Sequence, residues 1–220
     1  MMLMRRLVAE FLGTALLLAT VVGSGIMGER LAGGNVAIAL LANTLATGAG
    51  LVALILTFGP VSGAHFNPVV TFSDAWLGNT RWRDVPPYIV VQVIGAFAGV
   101  AAAHLMFGEP LFFASQHIRT GPSQWWSEFV ATFGLVAVII GCSRSRPTIT
   151  PFAVGAYIMA AYWFTASTSF ANPAVTLARA ASDTFAGIRP VDTGGFIAAQ
   201  LLGATTATYI FNWLYTSESR

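Results

Sequence analysis

"HFNPVVTF" (residues 65–72) and "FANPAVTLAR" (residues 170–179) interrupt two apolar stretches with the same pair of residues, Asn-Pro. Asn-Pro is a breaker pair in the middle of a regular element. It is also a good beginning for one. Asn is a favoured helix N-cap, and Pro is favoured at the first helical position because its missing N–H would have no intrahelical partner. Each Asn-Pro therefore predicts the start of a short helix, at Asn67 and at Asn172. About eleven apolar residues follow each one. At 1.5 Å per residue that is about 16 Å, roughly half the hydrocarbon thickness of a bilayer.

The rest of the chain makes the bilayer the right reference. Of 220 residues, 55% are hydrophobic and 9% are charged, against about 25% charged in a soluble domain. The mean hydropathy is +0.70. Six longer stretches reach spanning length: about Leu7–Met27, Asn35–Thr57, Pro86–Phe107, Trp125–Cys142, Ile149–Thr165 and Thr193–Tyr215. The first is too long for a signal-peptide core and contains Glu10. The expected fold is an all-α membrane protein with six transmembrane helices and two re-entrant half-helices.

The sequence also repeats itself. "AEFLGT" (9–14) matches "SEFVAT" (127–132), "NPVVT" (67–71) matches "NPAVT" (172–176), and "VQVIGAFAG" (91–99) matches "AQLLGATTA" (199–207). The order is the same and each offset is a little over a hundred residues, which marks an internal duplication. The single domain, 1–220, divides into a first repeat of about 1–108, a connecting loop 109–122 and a second repeat of about 123–220. Three spans per half is an odd number, so the second half enters the membrane from the opposite side. Inverted repeats with broken helices place a solute site at the midplane. All eleven basic residues are arginines. With the N-terminus inside, Arg5, Arg6, Arg81, Arg83, Arg144, Arg146 and Arg220 face the cytoplasm, and Arg30, Arg119 and Arg189 lie outside, in keeping with the positive-inside rule. The expected setting is an inner (plasma) membrane crossed several times, with both termini cytoplasmic.

Two half-helix starts meeting at mid-membrane bring about half a positive unit charge each. The loops before them must line a cavity, because irregular backbone is not tolerated against lipid. An Asn that caps through its oxygen still has amide hydrogens to donate. A solute there meets donors and a positive potential, which suits water or a polyol and repels cations.

On these residues the chain resembles the aquaporin, or major intrinsic protein, family, over essentially its whole length. The resemblance implies a right-handed helical bundle, a homotetramer with one pore per subunit, and paired Asn-Pro motifs at the pore centre: Asn67, Pro68 and Val69 in the first half, Asn172, Pro173 and Ala174 in the second. It implies that Glu10 and Glu128 hold the pore loops; an ion pair inside the helices is the alternative. It places His65 on the cytoplasmic side of the pore, as a solute contact or a structural hydrogen-bonding group. Half-helix dipoles are an established barrier to protons and cations in aquaporin-type pores.

The family's outer filter has four positions. Counted from the motifs, they fall on Thr47, Ala160, Ser169 and Val175. Water-selective members carry a large aromatic, a His, a small residue and an Arg there, and glycerol channels keep the Arg and follow it with Asp. Here Val175 stands at the arginine position and Thr176 follows. A ring of Thr, Ala, Ser and Val is expected to be wide and to lack a fixed charge, unless an aromatic such as Trp163 or Phe164 refills it. Arg179, one helical turn beyond Val175, is either a displaced counterpart of the filter arginine at a hydrated outer mouth or the partner of Asp183 in an ion pair. Asp74 is its equivalent in the first half. A Val-containing second motif without the filter arginine resembles bacterial channels encoded with arsenic-resistance genes, which implies passage of arsenite.

The expected function is a passive channel for water, glycerol-like polyols and metalloid acids. A secondary transporter is the alternative, since it too uses inverted repeats and broken helices. The chain shows no HExxH, P-loop, nucleophile elbow or Cys/His cluster. No enzyme activity, cofactor, metal or nucleic-acid partner is expected. Cys142 cannot pair internally, and His104 and His117 lack ligand spacing.

Overall fold

The computed structural model describes residues 2–215. Arg220, counted above with the cytoplasmic arginines, lies outside the described residues. Among them are eight α-helices in two matching sets of four. The first set is α1 (Leu3–Leu31), α2 (Val36–Ser62), α3 (Pro68–Trp76) and α4 (Val85–Phe107); the second is α5 (Pro122–Ser145), α6 (Thr150–Phe164), α7 (Pro173–Arg179) and α8 (Thr193–Leu214).

Local chemistry sets most of the boundaries. Asn35 caps α2 by accepting from the Ala37 and Ile38 amides. Gly63 and Gly108, both left-handed, end α2 and α4, a conformation that costs glycine nothing. Asn67 and Asn172 cap α3 and α7, each with Pro at the first helical position, as the motifs require. The short helices have nine and seven residues, less than the eleven suggested by the apolar runs.

Four helix segments are long and apolar enough to cross a membrane: α1, α2, α5, and α4 with the turn before it. The other two expected spans fall short of that measure for different reasons. α6 has 15 residues, about 22 Å, and gains reach only from a single 3-10 turn, Pro147–Ile149. α8 has 22 residues, but Gln200, Thr205, Thr206, Thr208 and Asn212 lower its hydropathy.

Burial runs opposite to that of a soluble bundle. Glu10, Gln92, Glu128 and Gln200 are fully enclosed, while Leu12, Leu16, Ile94, Leu201 and Leu202 are exposed. Polar groups that must find partners turn inward and the apolar surface turns outward, as hydrocarbon solvent demands. α1 packs on α2 and α4, α5 packs on α6 and α8, and α2 meets α6 across the repeats. The close approaches need glycine at matching places. A Cβ on Gly95 would come 2.5 Å from the Phe11 carbonyl oxygen, and one on Gly203 would come 2.5 Å from that of Phe129. Both short helices lie between α4 and α8, and they touch each other. Their starts meet in the interior.

Candidate functional site

The two loops that lead into α3 and α7 are built alike, atom for atom. Glu10 accepts from the Ser62 hydroxyl, the His65 and Phe66 amides and Gln92 Nε2, at 2.6–2.9 Å. Glu128 accepts from the Ser167 hydroxyl, the Phe170 and Ala171 amides and Gln200 Nε2, at 2.6–2.8 Å. Each glutamine also donates to a threonine one turn into the short helix, Thr71 or Thr176. Neither glutamate forms an ion pair among the described residues, so the helix-interior pairing considered above is absent.

A buried carboxylate with four donors can hold backbone that would otherwise refold. The loops need it. Ala64, Phe66, Ser169 and Ala171 all have left-handed φ, between 48° and 51°, and Thr168 has φ 59°. Non-glycine residues rarely adopt this conformation, and each such position costs about 1 kcal/mol or more.

The asparagines do more than cap. Asn67 Oδ1 accepts from the Val69 amide at 3.1 Å, while its Nδ2 donates to the Ala171 carbonyl at 2.8 Å. Asn172 Oδ1 accepts from the Ala174 and Val175 amides, while its Nδ2 donates to the Phe66 carbonyl at 2.8 Å. Each asparagine spans from its own helix to the other half's loop. One amide hydrogen per asparagine is spent on that link, and one is left to face the cavity.

That cavity has a volume of about 1070 Å3. Asn67 and Asn172 line it, as do Val70 and Val175 three residues after each of them. Its first end lies by Arg6, Arg81 and Asp84, its second by Thr47, Ser169 and Arg179. His65 lines the wall between Asn67 and the first end, with Nδ1 3.1 Å from the Thr71 hydroxyl and Nε2 3.6 Å from Asp74. Pro68, Val69, Pro173 and Ala174 are buried and do not line the cavity. Glu10 and Glu128 lie beneath the loops.

Two expectations change here. Ala160 is exposed and lies away from the cavity. Tyr162, two residues on, lines the cavity instead and donates its hydroxyl to Thr47 Oγ1 at 3.3 Å. The signal for this was a stripe at helical spacing, Val154, Ile158 and Tyr162, all three on the cavity wall. Trp163 and Phe164, the aromatics considered as fillers, are about half exposed. Arg179 is also not at a hydrated mouth. It is 3% exposed, donates from Nε to the Ala186 carbonyl, and lies over the Phe170 ring with 3.4 Å from Cζ to the ring centre. It has no ion pair with Asp183, which accepts from the Gln116 amide instead.

A second arginine at this end was not anticipated. Arg119, in the connecting loop, donates to the Gly187 and Ser167 carbonyls and lies 5.1 Å from the same Phe170 ring. Burial lowers it to about 10, so it stays protonated at neutral pH. His117, two residues earlier, is lowered from its usual value by burial first and by Arg119 and Arg179 next. The residues that hold the loops, Ser62, Thr71, Gln92, Ser167, Thr176 and Gln200, were also unassigned. All but the serines stand inside the matched repeat strings.

The major intrinsic protein family matches residues 1–168. The chain is 57% identical over 212 residues to "Aquaglyceroporin AqpS" of Rhizobium meliloti (strain 1021), covering 96% of this chain and 91% of that one. It is 32% identical to "Aquaporin NIP6-1" of Arabidopsis thaliana, covering 94% of this chain and 69% of that one. In fold it is similar to the X-ray structure of the aquaglyceroporin from Plasmodium falciparum, with a TM-score of 0.70 over 97% of this chain and 96% of that one at 21% identity. The chain thus belongs to the major intrinsic protein family of multi-pass membrane channels, and it is not an enzyme.

Proposed function

We propose that the chain conducts small uncharged solutes passively, from water to glycerol-like polyols and metalloid acids such as arsenous acid. The observation that carries this is the meeting of two helix starts on one cavity, each offering an asparagine amide and the positive end of a helix dipole. A neutral hydroxylated solute accepts those hydrogen bonds, and a cation is repelled. The carboxylates on the cavity wall, Asp74 and Asp84, are grouped with arginines at the first end and not at the asparagines, which leaves no evident acidic coupling site of the kind an ion-driven carrier uses.

The constriction is bounded by Thr47, Tyr162, Ser169 and Val175. Three of these are small or short, and none is cationic. Solutes larger than water fit this reading, and the relative named as an aquaglyceroporin supports glycerol among them. Arsenous acid, a neutral trihydroxide, shares the chemistry of a compact polyol. The working form is a homotetramer in the plasma membrane with both termini cytoplasmic.

Osmotic shrink–swell of liposomes containing the protein tests this. Entry of water and glycerol well above protein-free vesicles, linear in concentration and indifferent to proton or sodium gradients, is the expected result. Saturating uptake that follows an imposed ion gradient would establish the carrier instead.

A further inference from the structure

We propose that Arg81, Trp82 and Arg83 form a binding site for the headgroup of an anionic phospholipid at the rim of the cavity's first end. The ligand is a lipid phosphate bearing net negative charge, and its binding is separate from the passage of neutral solutes.

The duplication supplies the comparison that carries it. Asp84 stands eight residues before Gln92 and Asp192 eight before Gln200, so "RWRD" (81–84) and "RPVD" (189–192) are the same turn in the two halves. Both fold as a single 3-10 turn that leads into the next long helix. In the second half the turn closes on itself. Arg189 donates two hydrogen bonds to Asp192, at 2.9 and 3.2 Å. In the first half Arg6, from α1, takes the carboxylate of Asp84 at 3.2 Å. Arg81, the equivalent of Arg189, is exposed, and its side chain has no hydrogen bond or ion pair among the described residues. Arg83, where the other half has Val191, is also exposed. Its Nε lies 3.9 Å from Asp84, a loose contact with a carboxylate already engaged. The other carboxylate at this end, Asp74, is held by Thr80, Asn79 and His65. One turn thus presents two guanidiniums with no counter-charge of their own. Their like charges repel, and an external anion relieves that repulsion.

Trp82 indicates what kind of anion. It stands between the two arginines, about half exposed, with its ring 5.5 Å from that of Phe72. Phe72 in turn lies 5.8 Å from Trp76, whose indole is exposed as well. Indoles with an apolar body and a polar N–H settle at the level of lipid headgroups. Arginine forks meet phosphate oxygens in pairs. An exposed indole gains little from a free phosphate ion and more from the lipid that carries one. The matching turn in the other half has Pro190 and Val191 in place of Trp82 and Arg83, and so lacks both the indole and the spare charge.

The test is a titration of phosphatidylglycerol into delipidated protein in neutral detergent, read by native mass spectrometry. Phosphatidylcholine with the same chains and inorganic phosphate are the other two arms. Phosphatidylglycerol should bind about tenfold or more tightly than either. Replacing both Arg81→Gln and Arg83→Gln should weaken it about thirtyfold, from roughly fivefold per arginine near an anionic headgroup. The unfolding temperature should hold, because neither side chain fastens another part of the protein. Arg146→Gln, at an exposed arginine with no indole beside it, should change binding by less than about twofold. Equal binding of the two lipids, or a double variant that binds phosphatidylglycerol like the wild type, overturns the site. Inorganic phosphate bound as tightly as phosphatidylglycerol overturns the lipid assignment. Each of these results leaves the channel reading, which flux measures, intact.

Discussion

His65 and Phe170 each stand two residues before the asparagine of their half, and Asp74 and Arg179 each stand seven after it. In the first half the pair is an imidazole 3.6 Å from a carboxylate; in the second it is a phenyl ring under a guanidinium. Around these pairs the halves are nearly identical. Both have a glutamate with four donors, a glutamine and threonine behind it, and a reciprocal asparagine link. Even the unpartnered atoms correspond: Thr14 and Thr132 Oγ1, and Gln92 and Gln200 Oε1, are buried without hydrogen bonds in both. The contrast separates two kinds of constraint. What holds the loops is duplicated, because both loops face the same problem of strained backbone away from water. Around the loops, what differs is the side-chain pair at each end of the cavity, His65 with Asp74 and Phe170 with Arg179.

The strongest challenge to that division is to remove a duplicated part. Glu10→Leu and Glu128→Leu each leave a serine hydroxyl and two backbone amides without their acceptor, while Gln92 and Gln200 keep Thr71 and Thr176. At about 1–3 kcal/mol per orphaned group, the loss approaches the whole stability of a typical protein, about 5–15 kcal/mol. Neither variant should yield a monodisperse protein in detergent by size-exclusion chromatography. A folded, conducting Glu10→Leu beside an unfolded Glu128→Leu would show that the halves are not equivalent supports.

Next in size are Asn67→Asp and Asn172→Asp. Aspartate still caps the helix, but it cannot donate to Ala171 or Phe66 and brings negative charge to the meeting point. Each should cost about 1–3 kcal/mol in unfolding free energy and raise sodium or proton leak above that of the wild type, read as dissipation of an imposed ion gradient. Wild-type exclusion in both would sink the dipole-barrier account.

Val175→Arg acts only on the second end. It adds charge and bulk at the constriction, and glycerol entry should fall about tenfold relative to water, equivalent to about 1.4 kcal/mol in barrier. Equal loss for both solutes would mean that position 175 blocks the passage without selecting. The smallest effect belongs to the first end. Asp74→Asn should keep the Thr80 contact and replace only the half-buried carboxylate 3.6 Å from His65 Nε2, with a loss of about 1 kcal/mol or less and an unaltered glycerol-to-water ratio. A ratio that moved as far as in Val175→Arg would erase the distinction between the ends.

The sequence made the frame legible because the frame is repeated. Asn-Pro fixed both short-helix starts, and the matched strings contained Gln92 with Gln200 and Thr71 with Thr176. Their task was not legible: a glutamine inside an apolar run does not announce that its acceptor is a glutamate 82 residues away. Ala160 was misplaced by counting from the motif. Two residues advance a helix by about 200°, so Ala160 and Tyr162 lie on opposite faces of α6, and only the stripe of Val154, Ile158 and Tyr162 told them apart. For Arg179, spacing gave the turn but not the burial. Its anchor is the carbonyl of Ala186, an atom with no side-chain signature.

The crossed asparagine links also tie the stability of each half to the other. Phe66 waits for a donor on a residue 106 positions later, and Asn67 for an acceptor 104 positions later. While a ribosome is still delivering the first four helices, the carbonyl of Phe66 has no protein donor. An unmet buried carbonyl is worth about 1–3 kcal/mol, enough to keep α3 from settling at depth on its own. The links therefore make the seat of each short helix depend on the other half, and a fragment ending before Asn172 is expected to hold α3 less firmly than the whole chain does.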